Sequence, residues 1–514
     1  MHWYIAGTLL IVVLLVLLVV VVVYDLRQKK HAILHNFPIV GHFRYLLESI
    51  GPELRQYIVT GNDEERPFSR DERSWIYASS KKQNNFFGFG TDNDLEQSPN
   101  YLIIKHAPFP LLTPPHLRGD DLHAIPCAKK LGQHRQRKHA FRPASVVNIS
   151  AMSFGSLSGV AVEALNRGSE LAGCLHNTGE GGVSHYHQCG GELIWQIGTG
   201  YFGCRSANNR FDEKLFLDVV QANPIKAIEI KLSQGAKPGK GGLLPKAKIT
   251  SEIAAIRGIP MRVDCASPSG HREFHNVDQM LDFVERLAEL SGLPVGIKSA
   301  VGEIQFWDEL ANQMSNEQRG VDYIAIDGGE GGTGAAPLTF CDHVALPFKM
   351  AMARVHDVFA KYNMQDRVVF VGAGKLGFPD QTLLAFALGC DMIAVGREAM
   401  LAIGCIQAQR CHSGHCPTGV ATQSRWLMAG LDPTHKSARL ANYIVTLRKE
   451  VLDLSRACGH PHPALVSPQN FEIIDECFRG RSLLDCFHVN PETTRINQED
   501  EQEIRRIMGE GNGQ

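Results

Sequence analysis

Eight short apolar runs between Val147 and Arg397 limit the folds open to this chain more than any other feature. They read VNISAM, CLHNTG, LIWQIG, AIEIKL, VGIKSA, YIAIDG, VVFVGA and MIAVGR. Each carries glycine or serine at or just beyond its end, and a helix-like stretch follows it. Strands that alternate with helices build a parallel sheet. An open doubly wound sheet and a closed barrel both satisfy that alternation. The barrel is favoured, because residues able to do chemistry stand at the ends of nearly every run rather than at one switch point. The expected fold is therefore α/β, a (β/α)8 TIM barrel. A ninth run, MRVDCA from Met261, fits an insertion after the fourth strand.

The barrel accounts for only part of the 514 residues. Ile5 to Tyr24 is an uncharged run of Leu, Val and Ile, long enough to cross a bilayer. A secretory signal would carry basic residues before the run and small residues at a cleavage site, and neither is present. Arg27, Lys29 and Lys30 follow at once, so a single-pass anchor in the cell inner membrane with the bulk of the chain cytoplasmic is expected. The expected domains are 1–24 as a transmembrane anchor, 25–140 as a membrane-proximal extension, 141–430 as the barrel with its cysteine loop, and 431–514 as a helical C-terminal extension. The extension is loop-rich, polar from Asn62 to Asn100 and extended over Pro108 to Pro115, and specifies no chemistry of its own. The tail from Asn497 reads as solvated, with a disordered tip. A net charge of −2 without a basic stripe argues against a nucleic-acid partner.

Chemistry concentrates in a loop beyond the last strand, Cys405-IQAQR-Cys411-HSGH-Cys416-Pro417. Three thiols so spaced can converge on one inorganic centre, and thiolates suit iron–sulfur clusters or zinc. His412 or His415 could complete a Cys3His zinc site, and buried structural thiols are a third reading, so spacing alone leaves all three open. The other ten cysteines are scattered, as reduced intracellular thiols are. Glycine-rich or basic segments close five of the strand ends: NTGEGG from Asn177, KLSQGAKPGKGG from Lys231, DGGEGGTG from Asp327, and the pair Gly372-Ala373-Gly374 with Gly396-Arg397, which end the last two strands. The last pair suits a phosphate held by backbone N–H groups, with Arg397 adding charge. Lys298 ends the fifth strand in an apolar setting. It either snorkels outward or faces the barrel mouth, where it could hold negative charge on a reduced flavin or polarise a carbonyl.

In order along the chain, MSFGSLS, NTGEGG, EIKLSQGAKPG, GIKSAVGE, DGGEGGTGAAP and the three-cysteine loop running into PTGVATQ resemble the FMN-binding synthase domain of glutamate synthase. The likeness covers about Ser145 to Gln423, and is nearer still to standalone, membrane-anchored proteins carrying only this domain. The resemblance implies FMN over the strand ends near Met152, Ser153, Thr178, Gln196 and Lys298, with its phosphate at Gly374 and Gly396. It implies a three-iron, four-sulfur (3Fe-4S) cluster on Cys405, Cys411 and Cys416. It places the carboxylates of 2-oxoglutarate near Lys231, Gln234 and Lys237, and an ammonia route beside Glu180. The implied reaction is reductive amination of 2-oxoglutarate to L-glutamate, with Lys298 and Glu180 as catalytic residues and a donor such as ferredoxin feeding the cluster.

The departures bear on substrate. A membrane span stands where the large enzyme carries its glutaminase domain, so ammonia is expected from solution or from a separate amidotransferase. Lys240 replaces an acidic residue of the family's PGEGG, and VSHYH follows NTGEGG in place of an acidic pair. Two other functions compete: a flavin and iron–sulfur oxidoreductase acting on a different small acid or amine at the membrane, and a barrel serving only as electron relay or assembly partner.

Overall fold

The computed structural model describes residues 2–28, 32–55, 59, 61, 64–95, 98–113 and 122–509. Lys29, Lys30, Pro114, Pro115 and the tip of the tail (510–514) lie outside that set. The chain divides into two compact units, Met1–Arg73 and Ser74–Gln514.

In the first unit, α1 (His2–Arg27) is one 26-residue helix. Its mean hydropathy reaches 3.4, and none of its most apolar stretch is buried within the protein. Leu and Val face outward all round, which a helix tolerates in lipid. Asp25 at its end is buried and accepts the Ile39 N–H at 3.1 Å, and its carboxylate lies 3.0 Å from His42 Nε2. That contact ties α1 to the next long helix, α2 (Val40–Leu54).

The second unit contains a closed barrel of eight parallel strands paired in chain order: β1 (Val147–Ile149), β2 (His176–Asn177), β3 (Leu193–Ile197), β4 (Ile225–Lys231), β5 (Val295–Ser299), β6 (Tyr323–Asp327), β7 (Val369–Ala373) and β8 (Met392–Val395). Each of the eight apolar runs supplies one strand. Closure follows from the pairing of β8 with β1 and of every other strand with its successor. The run from Met261 stays outside the barrel: Cys265–Ala266 pairs antiparallel with Leu243–Leu244 in the long β4–β5 insertion.

The interior packs Leu175, Ile194, Ala227, Tyr323, Ala325, Val369, Val371 and Met392, and Cys127 and Leu131 pack with them. One glycine is required here. A Cβ on Gly296 would lie 2.4 Å from the Tyr323 ring, whose hydroxyl donates to the Ile228 carbonyl at 3.0 Å.

Around the barrel, α3 (Gly159–Ala172) packs against the 25-residue α4 (Pro433–Ala457), and Gly168 lets the Leu440 side chain approach. Leu102–Ile104 joins Phe471–Ile474 and Gly480–Ser482 in a small antiparallel sheet. The described part of the tail departs from the solvated reading. Gln498–Ile507 forms α5, capped by Asn497. It buries Ile504 and Met508, and Glu503 pairs with Arg142 at 2.6 Å. Two apolar residues at i and i+4 suffice to dock one face of so short a helix.

Candidate functional site

The strands run the same way, so their C-terminal ends share one mouth, and the residues singled out from sequence gather there. Beneath the rim, Glu229 on β4 is buried and accepts from Asn177 Nδ2 at 2.8 Å and Gln196 Nε2 at 2.7 Å. Two amides neutralise part of the cost of burying that carboxylate. Asn177 Oδ1 accepts the Gly179 N–H, and Thr178 Oγ1 accepts the Gln196 N–H at 3.1 Å. The NTGEGG loop is thus fastened onto β3. At Gly179, φ is +66° and a Cβ would stand 2.6 Å from the Ser153 nitrogen, so the loop lies on the Met152–Ser153 backbone only because this residue is glycine.

Lys298 does not snorkel outward. It is 7% exposed, its ammonium is 3.5 Å from Asp327 Oδ2, and that carboxylate also accepts the Gly235 N–H at 3.0 Å. Lys231 is its register partner at the end of the neighbouring strand. Lys231 Nζ donates to Glu180 Oε1 at 3.0 Å and to Gln234 Oε1 at 2.7 Å. Burial opposes ionisation of Glu180, but Lys231, Lys237 and Arg257 outweigh it and hold the carboxyl below its ordinary range. Lys237 is buried and donates to the Ala335 carbonyl at 3.1 Å. Burial, then Lys231, lower its proton affinity. Lys231, Lys237 and Arg257 therefore meet the Glu180 carboxylate on one side of the mouth, with the Gln234 amide on Lys231. Lys240 is exposed instead, its ammonium 4.9 Å from the Phe340 ring centre.

Across the mouth, Gly374 has φ +137°, outside the range L side chains adopt easily, and it lies against Gly328 of the β6 loop. A Cβ on Gly396 would meet only Ser150, at 3.5 Å, so that face is open. Such glycines leave room for a phosphate on backbone N–H groups. Arg397 donates to the Glu330 carbonyl across the β6 loop.

The cysteine loop runs beside the loop that follows β1. Ser158 Oγ donates to the Gly419 carbonyl at 2.7 Å, and Gln423 Nε2 to the Leu157 carbonyl at 2.9 Å. Burial raises Cys411. Burial would raise Cys416 too, but donors from Ala421, Thr418 and Val420 override it and hold that thiol below its usual value. Cys405 Sγ accepts the Gln407 N–H at 3.4 Å. Thiols met by N–H donors are the donor set a metal–sulfur centre needs. Among the described residues, no three His, Cys, Asp or Glu side chains are grouped to hold a single ion.

Sequence reasoning passed over four residues that matter to this geometry. Asp327 was visible in DGGEGG but had no assigned partner. Tyr77, from a stretch that specified no chemistry, donates to the Cys405 carbonyl at 2.8 Å. Arg257, on the β4–β5 insertion, donates to the Phe154 carbonyl at 3.0 Å and to Ser153 Oγ at 3.3 Å. Lys248, on the same insertion, donates to the Cys411 carbonyl at 2.7 Å. No local pattern marks the last three.

Residues 121–461 match the family profile described as the conserved region in glutamate synthase. The glutamate synthase large subunit-like protein YerD of Bacillus subtilis is 38% identical over 480 residues, covering 87% of this chain and 91% of that protein. The archaeal glutamate synthase [NADPH] of Methanocaldococcus jannaschii is 33% identical over 314 residues, covering 61% of this chain, and the match spans only 59% of the archaeal protein. A solved flavocytochrome b2 with sulfite bound aligns at 14% identity and a TM-score of 0.43, over 88% of this chain and 89% of that one.

Proposed function

The chain belongs to the glutamate synthase family, and from that premise we propose that it is an FMN- and iron–sulfur-dependent oxidoreductase that reductively aminates 2-oxoglutarate. One molecule each of 2-oxoglutarate and ammonium, with two electrons and two protons, gives L-glutamate and water. The observation that carries the reading is the grouping of Lys231, Gln234 and Lys237 with the charged Glu180, beside the Lys298–Asp327 pair, at one barrel mouth.

FMN, when bound, supplies the hydride. The chain's own residues do the rest. Lys231, Gln234 and Lys237 hold the two carboxylates of the substrate and orient its 2-oxo carbon. Glu180, held ionised, draws ammonium toward that carbon. Lys298 sets a positive charge at the strand ends where negative charge gathers on reduction, and Asp327 fixes its direction. Met152, Ser153, Thr178 and Gln196 would line the flavin, and Gly374 and Gly396 would take its phosphate. Arg397 would stiffen the β6 loop beside them. Cys405, Cys411 and Cys416 would hold the 3Fe-4S cluster that receives electrons from a donor such as ferredoxin. The domain division is 1–24, 25–140, 141–430 and 431–514. α1 would anchor the protein in the cell inner membrane with the barrel in the cytoplasm, and ammonia would come from solution or a separate amidotransferase.

A second reading changes the substrate to another small acid or amine. It is favoured by where the likeness is long: it spans 91% of a protein described only as large subunit-like, and 59% of one named as a synthase. One experiment separates the two. Detergent-purified protein is photoreduced anaerobically and mixed with 2-oxoglutarate and ammonium while flavin absorbance is followed. Rapid reoxidation with glutamate formed is the expected result. A flavin that stays reduced refutes the synthase reaction, and a purified protein with no flavin refutes both readings.

A further inference from the structure

We propose that the buried Lys248 ammonium is a fixed cation that raises the reduction potential of the iron–sulfur centre on the cysteine loop. The inference rests on the cluster reading above and adds to it a residue that no cluster ligand set contains.

Lys248 is 5% exposed and lies at the end of a short turn, Lys246–Lys248, in the β4–β5 insertion. Its ammonium donates to the Cys411 carbonyl at 2.7 Å and to the Ser156 carbonyl at 3.3 Å. Both partners are neutral. Among the described residues no carboxylate pairs with it; burial lowers its proton affinity, and the sulfurs of Cys411 and Cys416 work in the opposite direction. A buried cation with no counter-charge is costly. The cost is met only when those sulfurs carry negative charge, as they do once they ligate metal.

The electrostatic consequence has a definite sign. Reduction adds one electron and breaks no bond, so the centre becomes more negative by one charge. A cation held at fixed distance stabilises the reduced form more than the oxidised form. The hydrogen bond to Cys411 fixes that distance, and the bond to Ser156 ties it to the loop that also carries Ser153. Removing the charge should weaken the one-electron reduction equilibrium by about tenfold, which is about 59 mV.

The test is a potentiometric titration of the full chain in detergent, followed by the EPR signal of the oxidised cluster, in wild type, Lys248→Gln and Lys248→Arg. The Gln variant keeps an N–H donor for both carbonyls and loses the charge; the Arg variant keeps the charge. A midpoint lowered by about 59 mV in Gln, a tenfold change in the one-electron equilibrium, and close to wild type in Arg is expected. A Gln variant with full iron content and an unshifted midpoint overturns the proposal. Loss of iron from the Gln variant also overturns it, since Lys248 is then a strut that retains the cluster. Wild-type protein with no iron–sulfur signal refutes the cluster reading itself, and that result is distinct because it is obtained before any variant is made.

Discussion

The ion pair between Glu180 and Lys231 gives the most direct test of how the mouth is built, through a double-mutant cycle of Glu180→Gln, Lys231→Met and the pair. At 3.0 Å and an effective dielectric of about 20, the attraction between the two charges is about 5 to 6 kcal/mol before desolvation. The side chains are 12% and 16% exposed, so desolvation takes back a large part. Lys231 keeps Gln234 Oε1 after Glu180→Gln, which limits the loss to about 2–3 kcal/mol. Glu180 keeps the influence of Lys237 and Arg257 after Lys231→Met, so that loss is about 1–2 kcal/mol. The double variant leaves neither charge stranded. A coupling of about 1–3 kcal/mol is therefore expected. Trp195 and Trp307 are buried in the barrel unit, so their fluorescence during denaturant unfolding of the full chain in detergent reports on it. Single-variant losses that add to within about 0.5 kcal/mol would show that the two charges do not support each other, and the reading of the mouth as one linked cluster would fall.

Gly296→Ala should cost about 1–3 kcal/mol or more by overpacking, because the new methyl meets the Tyr323 ring and displaces the hydroxyl from the Ile228 carbonyl. A thermal midpoint within 1 °C of wild type, an order-of-magnitude threshold for a unit this large, would contradict that packing. Burial pushes His271 and His462 down to about 4, His187 and His356 down to about 3, and His176 well below its usual value. These folded values are depressed, so between about pH 6.5 and 4 the unfolded chain binds more protons than the folded one, and stability falls as pH falls through that window. Thermal midpoints measured from pH 7.5 to 5 should decline steadily below 6.5, and a flat profile down to pH 5 would refute the burial of these rings as neutral imidazoles.

The barrel was legible in the sequence because its signal is local and repeated. VGIKSA and YIAIDG are apolar on both faces, as a strand must be that packs a filled interior on one side and helices on the other. The site was legible for a related reason: a strand of known direction puts its last residue at the mouth, so Lys231 and Lys298 are register partners whatever the connecting segments do. The tail was not legible. Between Asn497 and Gln514 the charges dominate any window average, yet the apolar contact that docks the helix comes from only two residues, Ile504 and Met508.

Lys248 and Arg257 were illegible for a different physical reason, and the same reason makes them informative. Both lie in the β4–β5 insertion, and each reaches carbonyl oxygens on a segment roughly a hundred or more residues distant: Ser156 and Cys411 for Lys248, Phe154 for Arg257. A contact made only on tertiary closure leaves no spacing or periodicity behind. A buried cation is nonetheless harder to place by chance than a buried leucine, since it is expensive unless its environment supplies charge or dipoles. The insertion spends two such cations on one short stretch, the loop after β1 that runs from Met152 and Ser153 to the neighbours of the cysteine loop. It therefore fixes the separation between the two ends of that stretch. Residues remote in sequence from both the β1 loop and the cysteine loop thus hold those two segments in place.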